Sequence, residues 1–161
     1  NDMSNRIGLH IRRGDNKFTV DGREKISSDE EFAKLIKSMP NEKFFLCTDS
    51  EETEKKFLQE EWGKNIIVYP KGNRKRSKKE SLQEALIDML LLSKTKHLIG
   101  SYLSTFTELA WWFGECKAKI EIVGIENVKQ IPAPLTFGRK IIRKLKFYKV
   151  NFQRWFFGSY K

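Results

Sequence analysis

The sequence predicts an α/β protein built on an open parallel sheet with helices on both faces, and three observations lead there. Short apolar runs alternate with capped segments of helical length, the pattern of right-handed β-α-β units. The polar clusters fall just after the apolar runs, where sheets of this kind hold their ligands. The chain has 161 residues, one domain by size and long enough to bury a core.

Taken in order, Arg6 to Arg12 reads as a buried strand and residues 13–27 as a polar loop. Ser28 caps a helix running through Met39, with Glu31 completing a capping box and Pro40 forcing the stop. Lys43 to Thr48 is a second strand, delivering Asp49 at its end. Ser50 caps a charged helix through Trp62, stopped by Gly63. Asn65 to Tyr69 is a third strand, followed by Pro70 and a basic loop, Lys71 to Lys79, expected to be mobile and solvated. Ser81 with Glu84 forms another capping box and opens a helix to about Ser93. Lys96 to Gly100 is the fourth strand; Ser101 to Thr105 leads into a helix ending near Gly114. Lys119 to Val123 is the fifth strand, and Pro132 and Pro134 mark a linker. The expected division is therefore a globular part, 1–136, and a basic amphipathic helix, 137–161. The architecture is Rossmann-like, but neither the glycine-rich dinucleotide fingerprint nor the Walker phosphate loop is present, which disfavours ordinary dehydrogenases and P-loop NTPases.

Composition excludes several classes. An apolar fraction of 39% argues against disorder, and no apolar run approaches the length of a membrane span. The chain start has neither the basic-then-apolar pattern nor the cleavage site of a signal peptide, and reads as a cut edge. Cys47 and Cys116 suggest neither a disulfide framework nor a zinc site, so a reducing, cytoplasmic compartment is expected. The net charge of +10 is unevenly placed: eight of the 31 Lys and Arg lie in residues 137–161, which hold no acid, leaving 23 against 21 (+2) before it. That tail carries Phe137, Ile141, Ile142, Leu145, Tyr148, Phe152, Trp155 and Phe156 at near-helical spacing. It fits peripheral attachment to an anionic membrane surface, or docking back on protein with its charges solvated. The basic run from Lys71 to Lys79 lacks interleaved aromatics, so no nucleic-acid partner is expected.

Three stretches could carry chemistry. In Ile7-Gly8-Leu9-His10-Ile11-Arg12-Arg13-Gly14-Asp15, a strand releases a histidine and two arginines, and a guanidinium offers a fixed fork of donors to a phosphate. Consecutive arginines point to opposite faces, so one is aimed at a ligand and the other is structural; the plainer reading pairs both with Asp15 or surface acids. His10 is a pocket residue or a satisfied structural histidine. In Leu98 to Phe106, a strand, a glycine and the hydroxyls of Ser104 and Thr105 precede a helix N-terminus that suits a phosphate, or Ser104 is simply the N-cap. Asp88 is the only charge in Ala85 to Leu92; with Ser81, Glu84 and Thr95 it marks either a solvated helix face or a carboxylate that accepts from paired N–H groups.

The first stretch resembles the His-x-Arg-Arg-x-Asp motif of the fucosyltransferases that make α1,2, α1,6 and protein O-linked fucose bonds. Phe45 to Ser50, and Ala85 to Ser93 with Leu98 to Ala110, look like the same superfamily in the same order, so that the resemblance covers roughly residues 6–125. It implies the carboxyl-terminal, donor-binding lobe of a GT-B glycosyltransferase whose amino-terminal acceptor lobe is not in this chain. The donor would be GDP-fucose and the acceptor a glycan, with no cofactor and no metal. By position, Arg12 would hold the β-phosphate and stabilise the departing GDP. His10 would line the nucleotide pocket, Asp88 would read the guanine edge, and Ser104 with Thr105 would contact phosphates. Arg13, Asp15 and Asp49 would support. The α1,6 branch has a lysine and a glutamate where Asn16 and Val20 stand, and a serine at Leu103, so the base that activates the acceptor is unassigned.

Overall fold

The computed structural model describes residues 2–14, 26–72 and 79–124. Five strands form one sheet: β1 (Arg6–Ile11), β2 (Lys43–Thr48), β3 (Ile66–Val68), β4 (His97–Gly100) and β5 (Lys119–Ile122). All pairings are parallel, in the order β3-β2-β1-β4-β5. Between them lie the helices α1 (Asp29–Lys37), α2 (Glu51–Gln59), α3 (Lys79–Leu92) and α4 (Thr105–Phe113). By contact pattern the chain divides into Asn1–Val128 and Lys129–Lys161. The predicted tail helix, and the 136/137 boundary before it, lie outside the described residues.

The two middle strands explain the layers. In β1 and β2 every residue after the first is buried, so side chains of both parities need an apolar cover. On one face Ile7, Leu9, Ile11, Phe44 and Leu46 pack with Phe32 and Ile36 of α1 and Phe57 of α2. On the other, Phe45, Cys47 and Leu98 pack with Met89 and Leu92 of α3 and Ala110 of α4. Each fully buried Phe or Ile contributes roughly 1.5–3 kcal/mol relative to leaving it exposed. This is the α/β, Rossmann-like sheet with two helical layers that the sequence predicts.

Side-chain caps start α1 and α2. The Ser28 hydroxyl accepts from the Glu31 N–H at 3.4 Å and Ser50 from Thr53 at 3.2 Å. Several expected boundaries move by a residue or two, and two of the changes have an evident cause. The helix after Ser50 does not run to Trp62: Glu60 is extended, and Glu61–Asn65 form a separate 3-10 turn. That turn brings Trp62 edge-on to Phe57, with ring centroids 5.2 Å apart. It also requires Gly63, since a Cβ there would sit 2.2 Å from the Phe57 carbonyl oxygen. The second correction concerns α3, which is already helical at Lys79, so Ser81 is not its cap; Glu84 instead accepts from the Gly72 N–H at 2.8 Å.

The chain steps outward from β1 through β2 to β3, then returns to the far side of β1 as β4. The reversal falls between β1 and β4, and at such a switch point the connections leave in opposite directions and open a crevice beyond the carboxyl ends.

Candidate functional site at the carboxyl ends of β1, β2 and β4

The strand β1 stops at Ile11, one residue before the predicted end, because the Arg12 N–H leaves the ladder for the Ser101 hydroxyl at 3.0 Å. Ser101 in turn donates to the His10 carbonyl at 3.3 Å, linking the ends of the paired strands β1 and β4. From the other side, Asp49 at the end of β2 accepts from the Arg13 N–H at 2.8 Å and the Gly14 N–H at 3.0 Å. Its Oδ2 also receives the Arg12 guanidinium. Three stretches distant in sequence are thus hydrogen-bonded into one cluster at Arg12. Both side chains of the Arg12–Asp49 pair keep about a quarter of their surface exposed (25% and 24%), so a ligand in the crevice can reach them.

Arg13 goes elsewhere. Its side chain is buried, and Nε and Nη2 reach Oδ1 of Asp29, the first residue of α1, at 3.0 and 2.6 Å. Lys56 of α2 meets the other Asp29 oxygen at 3.0 Å. Burial pushes the Asp29 carboxyl up, but the hydrogen bonds from Arg13 and Lys56 outweigh it and hold the group below its ordinary value. Arg13 therefore does not match the plainer expectation of a surface ion pair, whereas Arg12 does pair with an acid, the part-exposed Asp49. Arg13 ties the strand end to two helices, and Asp29 is a partner that sequence reasoning missed.

His10 is 3% exposed on the α3/α4 face. Its Nδ1 lies 2.7 Å from the Thr107 hydroxyl and 3.2 Å from that of Ser104, and its ring stacks on Phe106 at 4.7 Å. Burial drives its pKa down to about 3, with Asp49 opposing and the cations Arg12, Lys71 and Arg13 reinforcing. The imidazole is neutral at physiological pH. The close approach of α4 to β4 depends on Gly100, where a Cβ would lie 2.4 Å from the Thr107 side chain.

Ser104 occupies the N-cap position of α4, but its side chain makes no cap hydrogen bond because the hydroxyl is turned toward His10. Thr105 is exposed at the first position of the helix. Just before them Leu103 adopts a left-handed backbone (φ 55°), a conformation that costs a residue with a Cβ on the order of 1–3 kcal/mol.

Asp88 corrects the reading of its stripe as a solvated face. It is 1% exposed, as is proper only for a carboxylate with partners, and Thr95 on the same stripe is buried too. The partner is Lys71, whose Nζ lies 2.7 Å from Asp88 Oδ2 and 3.3 Å from the Thr48 carbonyl oxygen. Lys71 was expected in a solvated loop; its side chain is 7% exposed. Two signals pointed to it: its position just past the end of β3, and the need of a lone carboxylate in an apolar helix for a cation. Of the remaining site candidates, Asp15 lies outside the described residues, as do Asn16 and Val20. Among the described residues no group of three or more His, Cys, Asp or Glu is placed to hold a metal ion, and no helix is long and apolar enough to cross a membrane.

Fold and site together define an open parallel α/β domain with an arginine, a helix N-terminus and a buried carboxylate gathered around its topological switch point. No family model and no curated protein matches the chain. Among solved structures, it is similar to the NodZ α-1,6-fucosyltransferase co-crystallized with GDP. The identity is 29%, covering 65% of this chain and 33% of that one, with a TM-score of 0.42. The same enzyme soaked with GDP-fucose gives 29% identity, 65% and 34% coverage and a TM-score of 0.40. The chain spans about a third of the length of those structures. At these TM-scores the likeness carries no weight for function here, which rests on the residues and contacts described above.

Proposed function

We propose that this chain is the donor-binding lobe of a fucosyltransferase-like glycosyltransferase of the GT-B type, binding GDP-fucose and passing fucose to a glycan acceptor without a metal. The observation that carries the reading is the hydrogen-bonded junction of the three motif stretches at Arg12: its backbone on Ser101, its guanidinium on Asp49. The reaction separates a sugar from a diphosphate, so the developing negative charge needs fixed donors. Arg12 supplies a guanidinium held in orientation by Asp49, with five N–H donors on its fork. The first turn of α4, with Ser104 and Thr105, adds backbone amides and hydroxyls on the β4 side of the crevice. His10 lines the pocket as a neutral group, Asp88 takes the guanine edge, and Arg13, Asp15 and Asp49 support. The tail, 137–161, is proposed to rest on an anionic membrane surface.

A second reading, a nucleotide-sugar-binding module that does not complete the reaction, is favoured by Leu103. This residue stands where a serine is expected and holds a strained backbone beside the phosphate seat. Incubating the full-length chain with GDP-fucose and a glycan acceptor separates the two: fucosylated product supports transfer, whereas GDP binding with no product at any enzyme concentration leaves the module.

A further inference from the structure

Lys71 lies outside all three motif stretches, yet its ammonium is the hub of a buried cluster drawn from four parts of the fold. It meets Asp88 of α3 at 2.7 Å, the Thr48 carbonyl oxygen at the end of β2 at 3.3 Å, and Glu54 of α2 at 3.9 Å. From β2, the Cys47 thiol donates to the same Asp88 oxygen at 3.1 Å. Both contacts land on Oδ2. The other oxygen, Oδ1, is buried and has no hydrogen-bond partner. A buried carboxylate oxygen left without a donor is costly, and a ligand donor is a natural reason for retaining one.

We propose that Lys71 is the positioning residue that sets base specificity: by holding Oδ2 it keeps Asp88 ionised, so that Oδ1 matches the paired N–H donors of guanine and not the donor–acceptor edge of adenine. The proposal rests on the reading of Asp88 as the base-contacting group. Its chemistry is simple. An ionised carboxylate offers acceptors only and complements the adjacent N1–H and N2–H donors of guanine. A protonated carboxyl offers one donor beside one acceptor and complements the N6–H donor and N1 acceptor of adenine instead.

Every group facing Asp88 bears on which form is present. Burial pushes its carboxyl up, and Glu54 adds to that, while Lys71 opposes through charge and hydrogen bond and the Cys47 thiol assists it. The Cys47 thiol is itself held protonated by burial, and His10 on the same sheet face is neutral, so among the described residues Lys71 supplies the cationic charge beside Asp88.

The test is calorimetric titration of the full chain and its Lys71→Met and Lys71→Arg variants with GDP and with ADP, at pH 6.5 and 8.5. The wild type should prefer GDP equally at both pH values. Lys71→Met should lower the GDP/ADP affinity ratio at least ten-fold at pH 6.5 and recover part of it at pH 8.5, and Lys71→Arg should restore it. An unchanged ratio in Lys71→Met, or an equal loss for both nucleotides, would overturn the proposal. A wild type that binds GDP and ADP alike defeats the base-reading role of Asp88, and the proposal with it. Should Lys71→Met not fold, the 13C carboxyl resonance of Asp88 in the wild type decides: it must remain that of a carboxylate from pH 8 to 5.5, and protonation within that range overturns the role of Lys71.

Discussion

Replacing His10 by Gln should abolish a pH dependence of stability whose size follows from the site. The folded imidazole titrates at about 3 against 6.5 for an unconstrained one. Between those values the unfolded chain takes up a proton that the folded chain refuses. Stability contributed by the neutral ring is therefore complete above pH 6.5 and is lost as pH falls toward 3. Each pH unit in that window is worth about 1.4 kcal/mol, so the step from pH 7.5 to 5.0 should cost the wild type about 2 kcal/mol through this residue. In His10→Gln an amide can still meet the Thr107 hydroxyl, the stack on Phe106 is lost, and no proton is exchanged. The variant will be less stable at pH 7.5 but should lose about 2 kcal/mol less on acidification. Urea unfolding at both pH values measures the difference directly. His97, whose pKa is also lowered by burial and by Lys119, is common to both proteins and cancels in the comparison. An equal loss in wild type and variant would refute the account of His10 as a buried neutral group.

Two further outcomes follow from the same geometry and from the tail. Gly100→Ala places a Cβ 2.4 Å from the Thr107 side chain, so either α4 shifts or Thr107 leaves His10. The expected cost is about 1–3 kcal/mol, and a melting temperature within a degree of wild type would show that the close approach is not required. The full chain should co-sediment with anionic liposomes and lose that property on removal of residues 137–161, with salt weakening the binding; equal pelleting of both proteins would sink the membrane role of the tail.

Much of the fold was legible because local signals and burial agree. Ser28 and Ser50 sit at both the sequence signature and the observed cap, and the apolar runs of β1 and β2 are covered on both faces as their composition requires. The errors fall where a local signature competes with a distant partner. Ser81 and Glu84 have capping-box spacing, but Glu84 is taken by Gly72 and the helix is already formed at Lys79. Ser104 reads as an N-cap, yet its hydroxyl serves His10, 94 residues away. Asp88 looked solvated because periodicity gives the stripe on which a side chain stands without saying what lies opposite; the answer, Lys71, comes from the end of another strand. In the site, the strand-end positions place Arg12 and Asp49 at the same edge of the sheet, but their pairing emerged only from the structure. The Asp29 partner of Arg13 and the Thr107 partner of His10 are long-range consequences of how α1 and α4 pack.

The central claim is that Arg12, oriented by Asp49 at the switch point, is the diphosphate-binding residue. Titration of the full chain with GDP, beside Arg12→Ala, tests it most directly. A charge-assisted hydrogen bond to phosphate is worth about 1.5–3 kcal/mol, so the substitution should weaken GDP roughly 10- to 100-fold while leaving the fold intact. No GDP binding by the wild type, or the same affinity in a folded Arg12→Ala protein, would contradict the assignment.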